Sequence, residues 1–528
     1  MLLRFPVNEN TITAATESAV EALGKMHENE KLIDEYRLLV EELVRKLVGA
    51  SAPGAELTLD VSENHRKFRL RFSCAGKPVS LTRENEDDLS GLLLDEYADC
   101  LQQSYTAGTN HVSFSAAVTF DRFLLRCAIS FAAALVCYTV ARFFLPESAL
   151  VWIDSNLFFP ISTIFTEAMT MLATPVAFFS LAASLISLYM SWDNNRRLDR
   201  VIVRYFASSV AVIVIGFASA MLLKNAFRAF DPEVYATARV DILGATLGGF
   251  FEEAVVSNLV EIFFSENPLP MLLFSVLMAL AAVRLFGRTG ENVRGGILGL
   301  HGIFSQMLNF LYSLAPFFLF FSVVTSLYDS GYSFLWRVLL FLALLTIPCC
   351  LALLGYAFSL RLSGLPLRDF REKYGAVVLE NLRIGSNIQA FPYNRRQLRR
   401  ITGLPRAYLN ETLRLGTIMN MDGSSLVTSF AITLYVNCCG IRLPWHLQLA
   451  LFLVLLLVSA GAPNQPGSCL LIMVVLFRFV GISSVLLADI LVVEVFFGKF
   501  YSFLNSLGDI VSIASYTQTS RAKQQAED

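Results

Sequence analysis

The sequence predicts a polytopic α-helical membrane protein preceded by a small soluble α+β domain, on three observations. The 528-residue chain is 55% hydrophobic and only 16% charged, whereas soluble domains carry about 25% charged residues. Apolar segments recur from residue 123 to residue 515, several reaching the roughly 20 residues that a membrane crossing needs. Residues 1 to about 115 instead hold most of the acidic runs.

Net charge is −2, and no basic patch argues for a nucleic-acid partner. The nine Cys include no Cys-x-x-Cys pair; Cys349 with Cys350 and Cys438 with Cys439 are adjacent in apolar runs. They read as small buried hydrophobes. His27, His65, His111, His301 and His446 are scattered. No metal cluster or activated nucleophile is expected, so an enzyme is not.

Residues 31–48 repeat apolar side chains every three or four positions, which predicts an amphipathic helix. Residues 55–60 and 67–73 alternate apolar and polar side chains, as strands packed on one face do. A second helix is expected over 84–99. These elements make a small α+β domain over 1–118, its sheet covered on one side by helices. No secretory signal opens the chain, so this domain is expected in the cytoplasm.

A first membrane helix is expected over 123–144, a connection through Asp154, and a long or tilted helix over 158–190. Arg196, Arg197 and Arg200 follow in a short loop and mark the cytoplasmic side. Further spans are expected over 201–223, 269–285, 296–327 and 334–360. The stretch 241–264, with Glu252, Glu253 and Glu261, is less regular; one more crossing there keeps the N-terminus cytoplasmic. Arg361, Arg368, Arg371 and Lys373 return the chain to that side.

The last third changes character. Residues 374–392 are apolar but interrupted at Gly385, Ser386, Asn387 and Pro392, which suits a re-entrant hairpin with its second arm beginning after Pro392. Arg395, Arg396, Arg399 and Arg400 make that arm basic. Next come Asn420, Asp422 and Gly423 between two apolar helical halves. An unwound membrane helix exposes carbonyls and helix ends to an ion in this way; a polar packing knot is the other reading. Residues 447–458 and 470–479 form two apolar arms around a Gly/Pro/Ser tip at 459–468, a second re-entrant hairpin. The final helix, from 482 to about 515, carries Asp489, Glu494, Lys499, Asn505 and Asp509. Hairpin and polar helix thus occur twice, as inverted repeats in secondary transporters do.

Three stretches of this last third resemble the dicarboxylate/amino acid:cation symporter family, the glutamate-transporter-type proteins. Residues 416–424 are similar to its Gly-Ala-Thr-Ile-Asn-Met-Asp-Gly-Thr pattern, 459–468 to its second hairpin tip, and 505–509 to its closing Asn-Val-x-Gly-Asp. The resemblance implies eight membrane helices with two re-entrant hairpins, a homotrimer in the cell (inner) membrane, and a core that slides across the bilayer in an elevator motion. It divides the membrane part into helices 1–6 with the scaffold (119–372), a transport core (373–516) and a polar tail (517–528).

It also implies roles. Asp422, with carbonyls near Asn420 and Met421, belongs to the inner cation sites, and Asn505 and Asp509 match the cation-coordinating pair of the last helix. Hard oxygen ligands suit Na⁺, with H⁺ as the alternative coupling ion. The implied solute site comprises Ser386, Asn387, Ser424, Ala462, Pro463, Gly467, Tyr501, Ser502 and Asn505. Here the sequence departs from the family. Its serine-rich first tip is reduced to Gly385-Ser386-Asn387, and Ser424 and Ser502 replace Thr. The Arg that pairs with an acidic substrate's side chain is Tyr501, and the Asp that holds its amino group is Gly498. A phenol offers no bidentate, permanently charged grip on a carboxylate. Lys499 is turned about 100° from the lost Arg and does not replace it.

The N-terminal domain weakly resembles the ATP-binding domain of the histidine-kinase and anti-sigma superfamily, with Glu41 and Glu42 in its acidic box and a turn at Gly76 to Pro78. The Asn expected four residues on is Arg45 or Lys46, and the Asp expected before the glycine is Cys74. A regulatory domain with a cytoplasmic partner is therefore expected. Two functions follow for the whole chain: cation-coupled symport of a small organic acid or amino acid, or a non-transporting sensor that signals through the N-terminal domain.

Overall fold

A computed structural model describes residues 2–8, 11–24, 30–64, 67–79, 101–117, 122–194, 198–228, 260–263, 267–463, 465–483 and 486–527, with single positions at 81, 94, 256 and 258. The helix expected over 84–99 and most of the stretch 241–264 lie outside the described residues.

The chain divides into two compact units, the first formed by Met1–Phe123 with Gln389–Gln397. Its elements run β1 (Leu2–Pro6), α1 (Thr11–Gly24), α2 (Glu30–Gly49), β2 (Glu56–Asn64), β3 (Lys67–Ala75), β4 (Leu101–Thr106) and β5 (Thr109–Ala117). The strands form one antiparallel sheet in the order β1-β2-β3-β5-β4. Alternation decides which face is covered: Leu57 and Leu59, Phe68, Leu70 and Phe72, and Val112 and Phe114 are buried. They share a core with Ala15, Ala19 and Leu23 of α1 and Leu39, Leu43 and Leu47 of α2. β2 and β3 extend the two expected strands. β1, β4 and β5 were not expected, and β4 shows why: its Leu-Gln-Gln-Ser-Tyr-Thr is mostly exposed and lacks an apolar alternation. The turn Ala107-Gly108 joins β4 to β5 with both residues at positive φ, as a tight hairpin requires.

The second unit comprises Leu124–Ile388 and Leu398–Asp528 and is helical. α3 (Arg122–Phe144), α4 (Glu147–Ile153), α5 (Phe159–Asn194), α6 (Asp199–Arg228), α7 (Pro268–Arg284), α8 (Gly287–Ser313), α9 (Ala315–Ser330) and α10 (Ser333–Leu362) come first. Then follow α11 (Leu367–Ile384), α12 (Asn387–Thr402, of which 389–397 count with the first unit), α13 (Arg406–Met419), α14 (Asp422–Cys438), α15 (Trp445–Gly461), α16 (Ser468–Val480) and α17 (Leu487–Glu527). Among the described residues, four helical stretches are long and apolar enough to cross a membrane, or five if α8 and α9 make one bent span. Phe143, Leu222 and Phe310 stand outward on them, as side chains solvated by lipid do.

Several expected boundaries move. The connection through Asp154 is instead a π-helical turn, Asp154–Phe158, which makes α4 and α5 almost continuous. Asp154 fits there because its carboxylate accepts from the Thr325 hydroxyl at 3.1 Å. The span expected over 296–327 is two helices bent by 57°, where Pro316 lies in the first turn of α9 and cannot continue a ladder. α7, at 17 residues, falls short of a full crossing by itself. The helix expected to begin after Pro392 starts instead at Asn387. α11 ends where Gly385 is left-handed and Ser386 extended, and Pro392 removes one rung inside α12 without ending it. α17 absorbs the polar tail, whose Gln, Ala, Lys and Glu favour helix.

The centre of this unit is α14. Every residue of it except Asn437 is buried. It packs along α6, where a Cβ on Gly216 would strike the Ser429 hydroxyl and lie 3.0 Å from the Leu426 carbonyl. Small residues permit such close approach of membrane helices.

Candidate functional site

The helix break between α13 and α14 builds the site. Asn420 (φ −95°, ψ 70°) and Met421 (φ −92°, ψ 44°) leave helical geometry, so the first turn of α14 has donors without intrahelical partners. Asn505 of α17 supplies the acceptor: its Oδ1 takes the Gly423 N–H at 2.7 Å and the Ser424 N–H at 3.3 Å. Its amide group reaches the Met421 sulfur at 3.6 Å and the Ser424 hydroxyl at 3.4 Å. Asn505 thus caps a helix from another element.

Two carboxylates flank this break. Asp422 accepts from the Ser208 hydroxyl at 2.5 Å, the Tyr356 hydroxyl at 2.7 Å and the Ser209 hydroxyl at 3.4 Å. Asp509 accepts from the Asn420 amide at 2.9 Å and the Asn387 amide at 3.1 Å. Ser506 donates to Asn387 Oδ1 at 3.2 Å. Both acids are buried, and their hydrogen bonds come from hydroxyls and amides, not from cations. The packing leaves little slack: a Cβ on Gly416 would strike the Asp509 carboxylate, and one on Gly423 the Tyr501 carbonyl. A Cβ on Gly508 would lie 2.6 Å from both the Asn420 amide and the Asp422 carboxylate.

The expected residues separate into two clusters. Asn387, Asn420, Met421, Asp422, Ser424, Asn505 and Asp509 gather at the break. Gly467 and Tyr501 meet instead at Glu494: its Oε1 accepts the Gly467 N–H at 2.6 Å and the Tyr501 hydroxyl. Ser386 is half-buried at the turn before α12, Ala462 and Pro463 are buried after α15, and Ser502 is half-buried on α17. Lys499 lays its stem over the turn between α11 and α12, where a Cβ on Gly385 would lie 2.8 Å from Lys499 Cγ. Three participants escaped the sequence reading, Ser208, Ser209 and Tyr356, and Glu494 was noted there only as a polar residue of the final helix, with no role. A Ser-Ser pair in an apolar helix, and a Glu in the run Val492 to Phe497, were the available signals, since intramembrane polar groups default to function.

In the first unit, Arg45 donates to Glu41 at 2.8 Å and lies 3.6 Å from Glu42. Cys74 is buried in β3 among apolar neighbours, and that burial pushes its thiol pKa up. Among the described residues, no group of three or more His, Cys, Asp or Glu is placed to hold a metal.

A buried polar centre inside long apolar helices defines a multi-pass membrane protein that handles small polar species. The chain belongs to the Sodium:dicarboxylate symporter family, whose model matches residues 123–518. It is 26% identical over 375 residues to a C4-dicarboxylate transport protein of Deinococcus radiodurans, covering 67% of this chain and 81% of that one. A C4-dicarboxylate transport protein of Laribacter hongkongensis is 23% identical over 343 residues, 63% of this chain and 76% of its own. The proton/sodium-glutamate symport protein of Geobacillus stearothermophilus is 21% identical over 341 residues, 61% and 78% respectively. Secondary transport of a small organic solute, in a cation-coupled class, is the function these findings support.

Proposed function

We propose that the protein is a Na⁺-coupled symporter of a small organic acid or amino acid, working by an elevator-type movement of residues 373–516. The observation that carries this reading is the pair Asp422 and Asp509, both buried and both bonded by neutral donors. A buried carboxylate without a counter-charge costs several kcal/mol, and a bound cation supplies that charge. Hard oxygen donors are the ligands such ions take.

Each residue then has a task. Asp422 with the Ser208 and Ser209 hydroxyls forms one cation site between α6 and α14. The carbonyls near Asn420 and Met421 join it, and Asn505 with Asp509 forms a second. Asn387 links the second acid to the first hairpin, so cation binding at Asp509 biases that hairpin's position. Asn505 and Ser424 hold the α14 terminus, whose N–H groups favour an anionic solute. Ser386, Ala462, Pro463, Gly467, Tyr501 and Ser502 surround the solute, under the tips of two re-entrant hairpins in a fold of eight membrane helices. The working unit in this reading is a homotrimer. Residues 1–118 form a cytoplasmic regulatory domain without nucleotide, because Arg45 or Lys46 and Cys74 stand where the resemblance leads one to expect the Asn and Asp of a nucleotide site.

Uptake of radiolabelled dicarboxylates and amino acids into proteoliposomes, with a sodium gradient or a proton gradient, tests the reading. Sodium-driven accumulation that Asp422→Asn and Asp509→Asn abolish is expected. Accumulation driven by protons alone would replace Na⁺ with H⁺. One observation favours a second reading, a membrane sensor: the Tyr501 hydroxyl is engaged by Glu494. Solute-dependent stabilisation without accumulation from the whole panel would select it.

A further inference from the structure

Glu494 has no role in the cation sites, yet it is among the most enclosed acids of the chain, at 1% exposure. It stands seven residues before Tyr501 on α17, which places both on one helix face two turns apart. The carboxylate does not point along α17 alone. Its Oε1 accepts the Gly467 N–H at 2.6 Å, across 27 residues of sequence, as well as the Tyr501 hydroxyl.

Gly467 is the residue that turns the chain into α16. Its φ is +91°, a conformation that only glycine adopts without strain, and a Cβ there would lie 2.9 Å from Cδ2 of Tyr312. The tip is therefore pressed on one side by the α8 ring and tied on the other to α17. A buried N–H that loses its acceptor is left with the full cost of its desolvation, so the tip depends on this carboxylate oxygen. The second member of the pair, Tyr501, orients that carboxylate.

We propose that Glu494 is a positioning residue that latches the tip of the second hairpin to α17 through the Gly467 N–H. Tyr501 is then half of this latch, which explains a phenol where the family resemblance leads one to expect a guanidinium. The hairpin opens only when the Glu494–Gly467 bond breaks. This rests on the reading of 445–480 as a gating hairpin, but the latch itself is measured without transport.

Hydrogen–deuterium exchange of the full chain in lipid nanodiscs, with sodium and no added solute, reads the tip directly. Glu494→Ala is expected to raise exchange over residues 462–469 by about tenfold or more, with residues 340–352 of α10 unchanged. Glu494→Gln keeps an acceptor and is expected to recover most of the protection; Tyr501→Phe falls between. Tip exchange within twofold of the parent in Glu494→Ala, or an equal rise in α10, overturns the latch. Should Glu494→Ala not fold, Glu494→Gln and Tyr501→Phe decide, and an unchanged tip in both overturns it. A protein that keeps the latch yet accumulates nothing contradicts the transport reading alone.

Discussion

Asp422 shows what the local chemistry demands. Its carboxylate is enclosed by three hydroxyls from two other helices, α6 and α10. Ser208→Ala is expected to weaken sodium binding by about tenfold, the size typical of partners around metal ligands. Sodium-dependent thermal stabilisation of the purified protein measures it, and an unchanged midpoint would remove Ser208 from the site. Gly416→Ala is a steric counterpart. The new methyl meets the Asp509 carboxylate, so a loss of about 1–3 kcal/mol is expected from overpacking. Thermal unfolding in the absence of sodium separates that loss from any change in ion affinity.

Among the elements, the break at Asn420 and Met421 depends on α17 to be tolerable. Without Asn505, the Gly423 and Ser424 N–H groups lose their acceptor, and Asn505→Ala is expected to cost about 1–2 kcal/mol. A second tie joins α10 to the start of α17. Arg337 grips Asp489 through two contacts, at 2.8 and 3.1 Å, while Tyr435 of α14 donates to the same carboxylate at 3.3 Å. Both partners are buried. Removing one leaves the other uncompensated, so Arg337→Ala should cost about 3–5 kcal/mol. The double replacement Arg337→Met with Asp489→Leu should recover much of that, and unfolding of the three variants in one detergent provides the comparison. Recovery failing entirely would mean that the pair specifies the packing instead of merely tolerating burial.

Across the whole molecule, two solvents select two kinds of surface. The first unit turns polar residues outward from a one-faced sheet, whereas the second exposes Phe143, Leu222 and Phe310 and buries its carboxylates and amides. In the proposed reading, the polar interior of the second unit is where its solute and ions bind. Among its described residues, the first unit carries no such centre. Its Glu41 and Glu42 face Arg45, so addition of ATP with Mg²⁺ is expected to leave its unfolding midpoint unchanged. A shift that grows with nucleotide concentration would restore the nucleotide-binding reading.

Composition and patterning by themselves determined the membrane class and the sequence of apolar segments, and they marked Asn420 and Asp422 as polar groups between apolar halves; the roles proposed for Asn505 and Asp509 came from the family resemblance. A charged side chain inside twenty apolar residues is costly wherever the chain folds, so its presence is informative without coordinates. Pro392 was misleading for a related reason: proline reports a missing N–H, but not whether the helix can spare one rung. Only the tertiary structure decided which groups surround each acid. Ser208, Tyr356 and Asp422 lie far apart in sequence, and α6, α10 and α14 must pack before their oxygens meet. The same holds for Glu494 and Gly467. A hydrogen bond between distant elements is set by how the helices pack against one another, and no spacing along the chain encodes it.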